Sequence, residues 1–388
     1  MKVQDVSFFH KKCTACGACF AACAKKAIAF TQDSEGFFYP SIDSIKCIHC
    51  GLCAKVCPIT HEKNMALCLD VLRGKASKDT IRQNSSSGGL FYVFSQYVLK
   101  QNGIVFGVAF DSNTQKAVYC NSDNTSIEKL MRSKYVEAAD NENVLLQAKS
   151  QLEKGRLVLF SGTPCKIVGL KAFLGKDYPN LFTIDFMCHG KPTSKLLTDT
   201  INREEAIVGD RCVDVTFREK IKGWRKQTIA FYFEHSERTV YESTQYYYYY
   251  YFLHSCSLRK SCFTCSYYNR HEADVTLADY WKLPKETDDD KGHSLVFVNS
   301  EKGKWLIGEV SSEIETVSDR SAVPSMEMYA HTHRKGYHVR RRKWFFKKYK
   351  EYGVDYIATK GYNKRVSADL RVQMMINKLL RIRMLINK

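Results

Sequence analysis

The chain has 388 residues, 44% hydrophobic and 26% charged, which suits two or three globular domains rather than one. No apolar run reaches the ~18 residues that span a bilayer, and Met1 to Lys12 lacks a signal-peptide pattern, so a cytoplasmic protein is expected. The formal charge is +18, but 17 Lys or Arg against three acids lie between His331 and Lys388, so 14 of those charges sit in the tail and nucleic-acid binding is not expected.

Two cysteine runs open the chain. Cys13, Cys16, Cys19 and Cys23 form the first, and Cys47, Cys50, Cys53 and Cys57 the second. Both have the spacing C-x2-C-x2-C-x3-C, the pattern of bacterial ferredoxins. Sixteen cysteines in a reducing compartment point to metal or redox chemistry rather than disulfides. Three closely spaced thiolates can wrap one iron–sulfur cubane if the loop turns sharply, and Gly17 and Gly51 stand between ligands for that purpose. The fourth cysteine of each run is expected to open a short helix leading to the other cluster. One 4Fe-4S cluster would then use Cys13, Cys16, Cys19 and Cys57, and the second Cys47, Cys50, Cys53 and Cys23. Zinc more often takes two separated C-x2-C pairs, which this array does not match. Pro58 follows the second run, whereas Ala24 follows the first. Between the runs, Ala27–Thr31 and Gly36–Pro40 read as a hairpin that covers the clusters with apolar side chains.

The segment Asn84-Ser-Ser-Ser-Gly-Gly89 precedes a helical pattern from Leu90 to Leu99. Serines and glycines at a helix start offer an anion cradle; a plain helix cap is the simpler reading. Gly103–Phe110, Arg156–Gly162 and Leu181–Met187 read as buried strands, with an apolar helix over Lys166–Leu174, which suggests an α/β layer. Cys165 and Cys188 fall at strand ends, where such sheets place ligands. Cys262 and Cys265 form a C-x2-C, which alone fits a zinc pair, a redox dithiol or coincidence. Together with Cys165 and Cys188 they make a four-thiolate site an option. Cys68, Cys120, Cys212 and Cys256 show no ligand spacing.

Six tyrosines run from Tyr246 to Tyr251. They are read as an aromatic strand with one wet face, the other option being a stacking platform for a planar substrate. In the tail, Arg340–Lys343 adjoins Trp344–Lys348, and a helix is expected from Leu370 to Lys388. This basic segment suits an acidic partner or an anionic membrane surface, or packs on its own body.

Taken in order, Ser86–Gly89, Gly162-Thr-Pro-Cys165, Cys188-His-Gly190, Gly223-Trp224, Arg259-x-Ser-Cys262-x-x-Cys265 and Asp274-x-Thr-x-x-Asp279 resemble the coenzyme F-420 hydrogenase/dehydrogenase beta-subunit family, here with a fused dicluster ferredoxin domain. The resemblance runs from Met1 to about Trp281. It implies a flavin, FAD, and a third 4Fe-4S cluster on Cys165, Cys188, Cys262 and Cys265. It also implies that Ser86, Ser87, Gly88 and Gly89 approach the flavin phosphates and that Arg218, Lys220 and Trp224 line the flavin or substrate pocket. Arg259-Lys-Ser-Cys262 and Ala278-Asp-Tyr-Trp-Lys282 depart from the family's usual Arg-Pro-Ser-Cys and Gly-Asp-Phe-Trp-Gly, so use of the deazaflavin coenzyme does not follow.

The expected fold is α+β: a dicluster ferredoxin-like domain over 1–64, an α/β flavin and iron–sulfur domain of beta-subunit type over 65–327, with parts at about 80–160 and 161–327, and a basic helical extension over 328–388. The function implied is an iron–sulfur flavoprotein oxidoreductase that exchanges electrons with a ferredoxin-like or dehydrogenase partner and acts on a small organic substrate, with a link to polysaccharide biosynthesis among the options. A non-catalytic electron-transfer subunit and a deazaflavin oxidoreductase are the alternatives.

Overall fold

The computed structural model describes residues 12–60, 68–140, 143–267, 271–284, 286–322 and 336–369. The expected helix from Leu370 to Lys388 lies outside them.

The N-terminal segment holds α1 (Ala18–Ala22), a hairpin of β1 (Ile28–Gln32) and β2 (Phe38–Ile42), and α2 (Leu52–Lys55). Gly17 and Gly51 cap α1 and α2 with φ of 91° and 72°, the left-handed backbone that glycine adopts freely. The short helices lie before Cys23 and Cys57, not after them as the sequence suggested. Only a single 3-10 turn, Pro58–Thr60, follows Cys57. A left-handed glycine can start a helix inside the cysteine loop, so the first three ligands and the helix share the same residues. Ile28 of the hairpin packs with Cys19, Phe20, Cys23, Ile42 and Cys53, so the hairpin does cover the cysteines.

The body is an eight-stranded mixed sheet. Its strands are β3 (Asp70–Ala76), β4 (Ile104–Asp111), β5 (Lys116–Asn121), β6 (Val158–Ser161), β7 (Leu181–Phe186), β11 (Val275–Asp279), β12 (Ser294–Val298) and β13 (Ile314–Ser318), in the order β13-β3-β12-β11-β7-β6-β4-β5. The β4–β6, β6–β7 and β7–β11 pairs are parallel, which buries both faces and explains the near-continuous apolar runs seen in sequence. One face carries α4 (Leu90–Lys100) and α10 (Glu301–Glu309), with the short α3 (Asp79–Gln83) and α5 (Ile127–Leu130) beside them; the other carries α6 (Val144–Glu153) and α7 (Pro164–Leu174). Helix α7 is apolar on nearly every side because it is enclosed between the sheet and α1.

A second sheet, β8 (Cys212–Phe217), β9 (Thr228–Phe233) and β10 (Thr239–Glu242), shares a core with α8 (Ser194–Val208), α9 (Tyr247–Leu253) and α11 (Gly336–Tyr356). The tyrosine run therefore forms a helix, not a strand, and all six rings are buried. Enclosure from several sides, with an acceptor for each hydroxyl, removes the need for a wet face. Tyr246 and Tyr247 donate to Glu204 and Thr200 at 2.9 Å, Tyr248 to the Tyr135 carbonyl at 2.8 Å, Tyr249 and Tyr251 to the Thr228 and Ile357 carbonyls at 3.3 Å, and Tyr250 to Asp369 at 2.5 Å.

The basic tail is also used internally. In α11, Arg341, Arg342, Phe345, Phe346 and Tyr349 are buried. Arg341 donates to Asp369 at 2.8 Å, and Arg342 pairs with Glu35 of the N-terminal hairpin. At the tip of that hairpin, a Cβ on Gly36 would meet Lys195 Cβ at 2.3 Å and Thr193 Oγ1 at 2.6 Å, so the turn lies pressed against the start of α8. No helix among the described residues is long and apolar enough to cross a membrane.

Candidate functional site

The first-run cysteines gather with Cys57. Burial, then the neighbouring thiols of Cys16, Cys13, Cys57 and Cys53, pushes Cys19 well above its ordinary pKa. Burial likewise pushes Cys57 up to about 12, with Cys16, Cys13 and Cys53 nearby. Such crowded, desolvated sulfurs are poor thiolates on their own and good ones around a cationic iron core. Of the second set, Cys23 and Cys53 lie against Cys19 and Ile28, while Cys50 alone among the sixteen cysteines is exposed.

Cys165, Cys188, Cys262 and Cys265 line one small cavity with Thr14, Lys191, Arg259 and Tyr267. Cys165 stands in the first turn of α7 after the β6 end, and Cys188 just past β7, while Cys262 sits in the turn Lys260–Thr264. Burial, then the proximity of Cys262, Cys165 and Cys265, raises the Cys188 pKa well above the usual thiol range. The donor set of four soft sulfurs fits an iron–sulfur cubane. Among the described residues no three His, Cys, Asp or Glu close on a single-ion site; a cubane, being larger than one ion, calls for more widely spaced sulfurs.

The two cysteine regions touch through α7. A Cβ on Gly169 would lie 2.7 Å from Cys16 Cβ and 2.9 Å from its Sγ, so Cys16 nests on α7 where only glycine leaves room. Gly169 is four residues after Cys165 and so on the same helical face, one turn along.

A cavity of about 510 Å3 opens at the C-terminal ends of the parallel strands. Its wall includes Ser85–Ser87 and Gly89 before α4, Ser161–Thr163 after β6, Met187–Lys191 after β7, and Tyr135, Arg218, Asp279 and Trp281. Gly89 caps α4 with φ 87°. Ser86 Oγ accepts from the Ser133 N–H at 2.8 Å and keeps its own proton to donate, while Ser87 Oγ donates to the His293 carbonyl at 2.8 Å and keeps its lone pairs. Buried Arg218 donates to Asp279 at 2.7 and 3.1 Å, to Tyr135 Oη at 3.1 Å and to the Ser86 carbonyl at 3.1 Å. Burial opposes its charge, but Asp279 and Tyr135 more than offset this and hold its pKa well above the ordinary value.

Of the residues expected to meet the flavin, Ser86, Ser87, Gly89 and Arg218 line this cavity, whereas Gly88, Lys220 and Trp224 stand one layer behind it. Lys220 Nζ donates to the carbonyls of Arg82, Ser87 and Lys291 at 2.6, 2.7 and 2.5 Å, which fastens the serine turn from below. Trp224 is buried under Trp281, with ring centroids 4.4 Å apart and planes at 9°. Its Nε1 donates to Asp279 at 3.4 Å. Sequence reasoning gave no role to Tyr135 or Lys191, which reach the cavity from segments without a motif.

Residues 155–320 match the family model for the C terminus of the coenzyme F420 hydrogenase/dehydrogenase beta subunit, and residues 12–60 match the 4Fe-4S dicluster domain. An uncharacterized ferredoxin of Methanocaldococcus jannaschii is 38% identical over 49 residues, which are 13% of this chain and 62% of that protein. This chain thus spans less than two thirds of that relative. A chain of the F420-reducing [NiFe] hydrogenase complex from Methanosarcina barkeri aligns with a TM-score of 0.48 at 13% identity, covering 75% of this chain and 95% of that one.

Proposed function

We infer, from a chain that joins a 4Fe-4S dicluster domain to a C-terminal domain of the coenzyme F420 hydrogenase/dehydrogenase beta-subunit family, an iron–sulfur flavoenzyme that couples a one-electron carrier protein to two-electron chemistry on a small organic substrate. The observation that carries this reading is a shared wall: Cys188, His189, Gly190 and Lys191 line both the four-cysteine cavity and the large cavity. When bound, clusters pass single electrons and a flavin exchanges two with its substrate.

The chain's own residues supply the positions. Cys13, Cys16, Cys19 and Cys57 would hold one cluster, Cys47, Cys50, Cys53 and Cys23 a second, and Cys165, Cys188, Cys262 and Cys265 a third. The N–H groups at the start of α4 and the Ser86 hydroxyl face the cavity as donors suited to a cofactor phosphate. Arg218, held by Asp279, sets a fixed positive charge beside that turn, and Trp281, backed by Trp224, gives a flat apolar wall. Electrons enter at the exposed end. Around Cys50, Ile45, Ile48 and Leu52 are 95%, 62% and 39% exposed, with exposed Lys25, Lys26, Lys46 and Lys55 on the same segment. That surface suits an acidic carrier protein with an apolar contact patch.

Anaerobic reconstitution of the full chain with iron, sulfide and FAD tests the reading. About twelve irons and one FAD per chain are expected. About eight irons without flavin would return the chain to a non-catalytic electron carrier.

A further inference from the structure

Three cations converge where the N-terminal cysteine loop meets the four-cysteine cavity. Lys191 Nζ donates to the Thr14 carbonyl at 2.7 Å. Arg259 donates from Nε to the Cys13 carbonyl at 2.8 Å, and from Nη1 to Phe38 O and Glu137 Oε1, both at 2.8 Å. Lys166 Nζ pairs with Asp140 at 2.6 Å and would meet a Cβ on Gly17 at 3.1 Å. Glu137 offsets Arg259 and Asp140 offsets Lys166, while the acceptor of Lys191 is a neutral carbonyl. The group therefore carries three positive charges against two negative ones.

A second observation points at the cavity. Arg259 is fully buried, lines the four-cysteine cavity, and its Nη2 has no hydrogen-bond partner among the described residues. A charged N–H sealed from water is strongly unfavourable unless something accepts from it. Cluster sulfide and cysteinyl sulfur are such acceptors, and hydrogen bonds to sulfur together with net charge are the levers that set a cluster's potential.

We propose that Lys191 and Arg259 form a cationic wall that raises the midpoint potential of the iron–sulfur centre held by Cys165, Cys188, Cys262 and Cys265, making it the electron sink between the N-terminal clusters and the large cavity. The inference rests on reading that cavity as a third iron–sulfur site. One electron enters the centre as its N-terminal neighbour is oxidised, and no bond forms or breaks. The added negative charge lies in a buried setting where a fixed cation acts with little screening. Lys191 dominates because no carboxylate accepts from it.

The test is a redox titration of the reconstituted full chain followed by electron paramagnetic resonance, on wild type and on Lys191→Gln, Lys191→Met and Lys191→Arg. The centre is identified as the signal missing in Cys262→Ser. Gln keeps a donor for Thr14 without the charge. Both neutral variants should lower this midpoint enough to shift the one-electron equilibrium about tenfold, roughly 59 mV, and Lys191→Arg should hold the wild-type value. Neutral variants that keep iron and an unchanged midpoint overturn the proposal. So does an equal drop in Lys191→Arg, which would mark shape rather than charge. Should the neutral variants lose the centre, its retention in Lys191→Arg supports the role of charge and its loss there overturns it. Wild type lacking a third signal refutes the underlying site by itself, before any variant is compared.

Discussion

The backbone N–H of Gly88 donates to Ser294 Oγ at 3.1 Å, and a methyl on Gly88 would stand 2.9 Å from that oxygen and 2.6 Å from the Gly74 carbonyl. The serine turn is thus seated directly on β3 and β12. Gly88→Ala should destabilise the fold by ~1–3 kcal/mol through overpacking and lift the turn off the sheet. FAD binding, read by flavin fluorescence, should weaken while iron content stays at the wild-type level. Undiminished FAD affinity would remove this turn from the proposed cofactor site.

Cys262→Ser isolates the four-cysteine cavity. Iron should fall from about twelve to about eight per chain, with the N-terminal signals retained. An unchanged iron content would show that this cavity holds no cluster.

Arg218 and Asp279 form a buried ion pair, with side chains 3% and 18% exposed. Arg218→Met leaves the carboxylate without its partner, a change that commonly removes ~3–5 kcal/mol. Urea unfolding measures this directly. A loss below ~1 kcal/mol would mean that Asp279 finds water or another donor.

His293 carries a pH dependence. Burial, then Arg82, brings its pKa from 6.5 to about 4, with Lys75 and Arg73 acting in the same sense and Asp289 against them. Between those values the unfolded chain binds a proton that the native one does not, so stability rises with pH there and falls on acidification. The slope from one such proton approaches ~1.4 kcal/mol per pH unit. Denaturant midpoints between pH 5 and 6.5 should show it, and His293→Gln should flatten it. An identical slope in that variant would assign the effect elsewhere.

Charge reversal at the exposed end tests carrier docking. Lys25→Glu with Lys26→Glu should raise KM for an acidic ferredoxin several-fold and reduce its salt dependence. Reduction by a small viologen should be unchanged. Equal behaviour of both donors would place the entry point on another surface.

The cysteine runs were legible because ligand spacing is local, and the parallel strands because burial on both faces leaves an apolar run. Tyr246–Tyr251 misled because the rule that one face stays wet assumes an element at the surface, and α9 is enclosed by α8, the second sheet and α11. Lys191 and Arg259 carried no signal of their role, since their partners Thr14, Cys13 and Glu137 lie more than a hundred residues away. Lys220 and Trp224 were assigned to the right neighbourhood and the wrong layer, because a motif names residues near a cavity without saying which side chains face it.

The hairpin tip jammed against α8, with Glu35 fastened by Arg342 of the tail, has a kinetic meaning. A ferredoxin-like head fixed at both ends does not swing to deliver its charge. Internal hops then run at rates indifferent to solvent viscosity, and only the arrival and departure of the outside carrier remain diffusive.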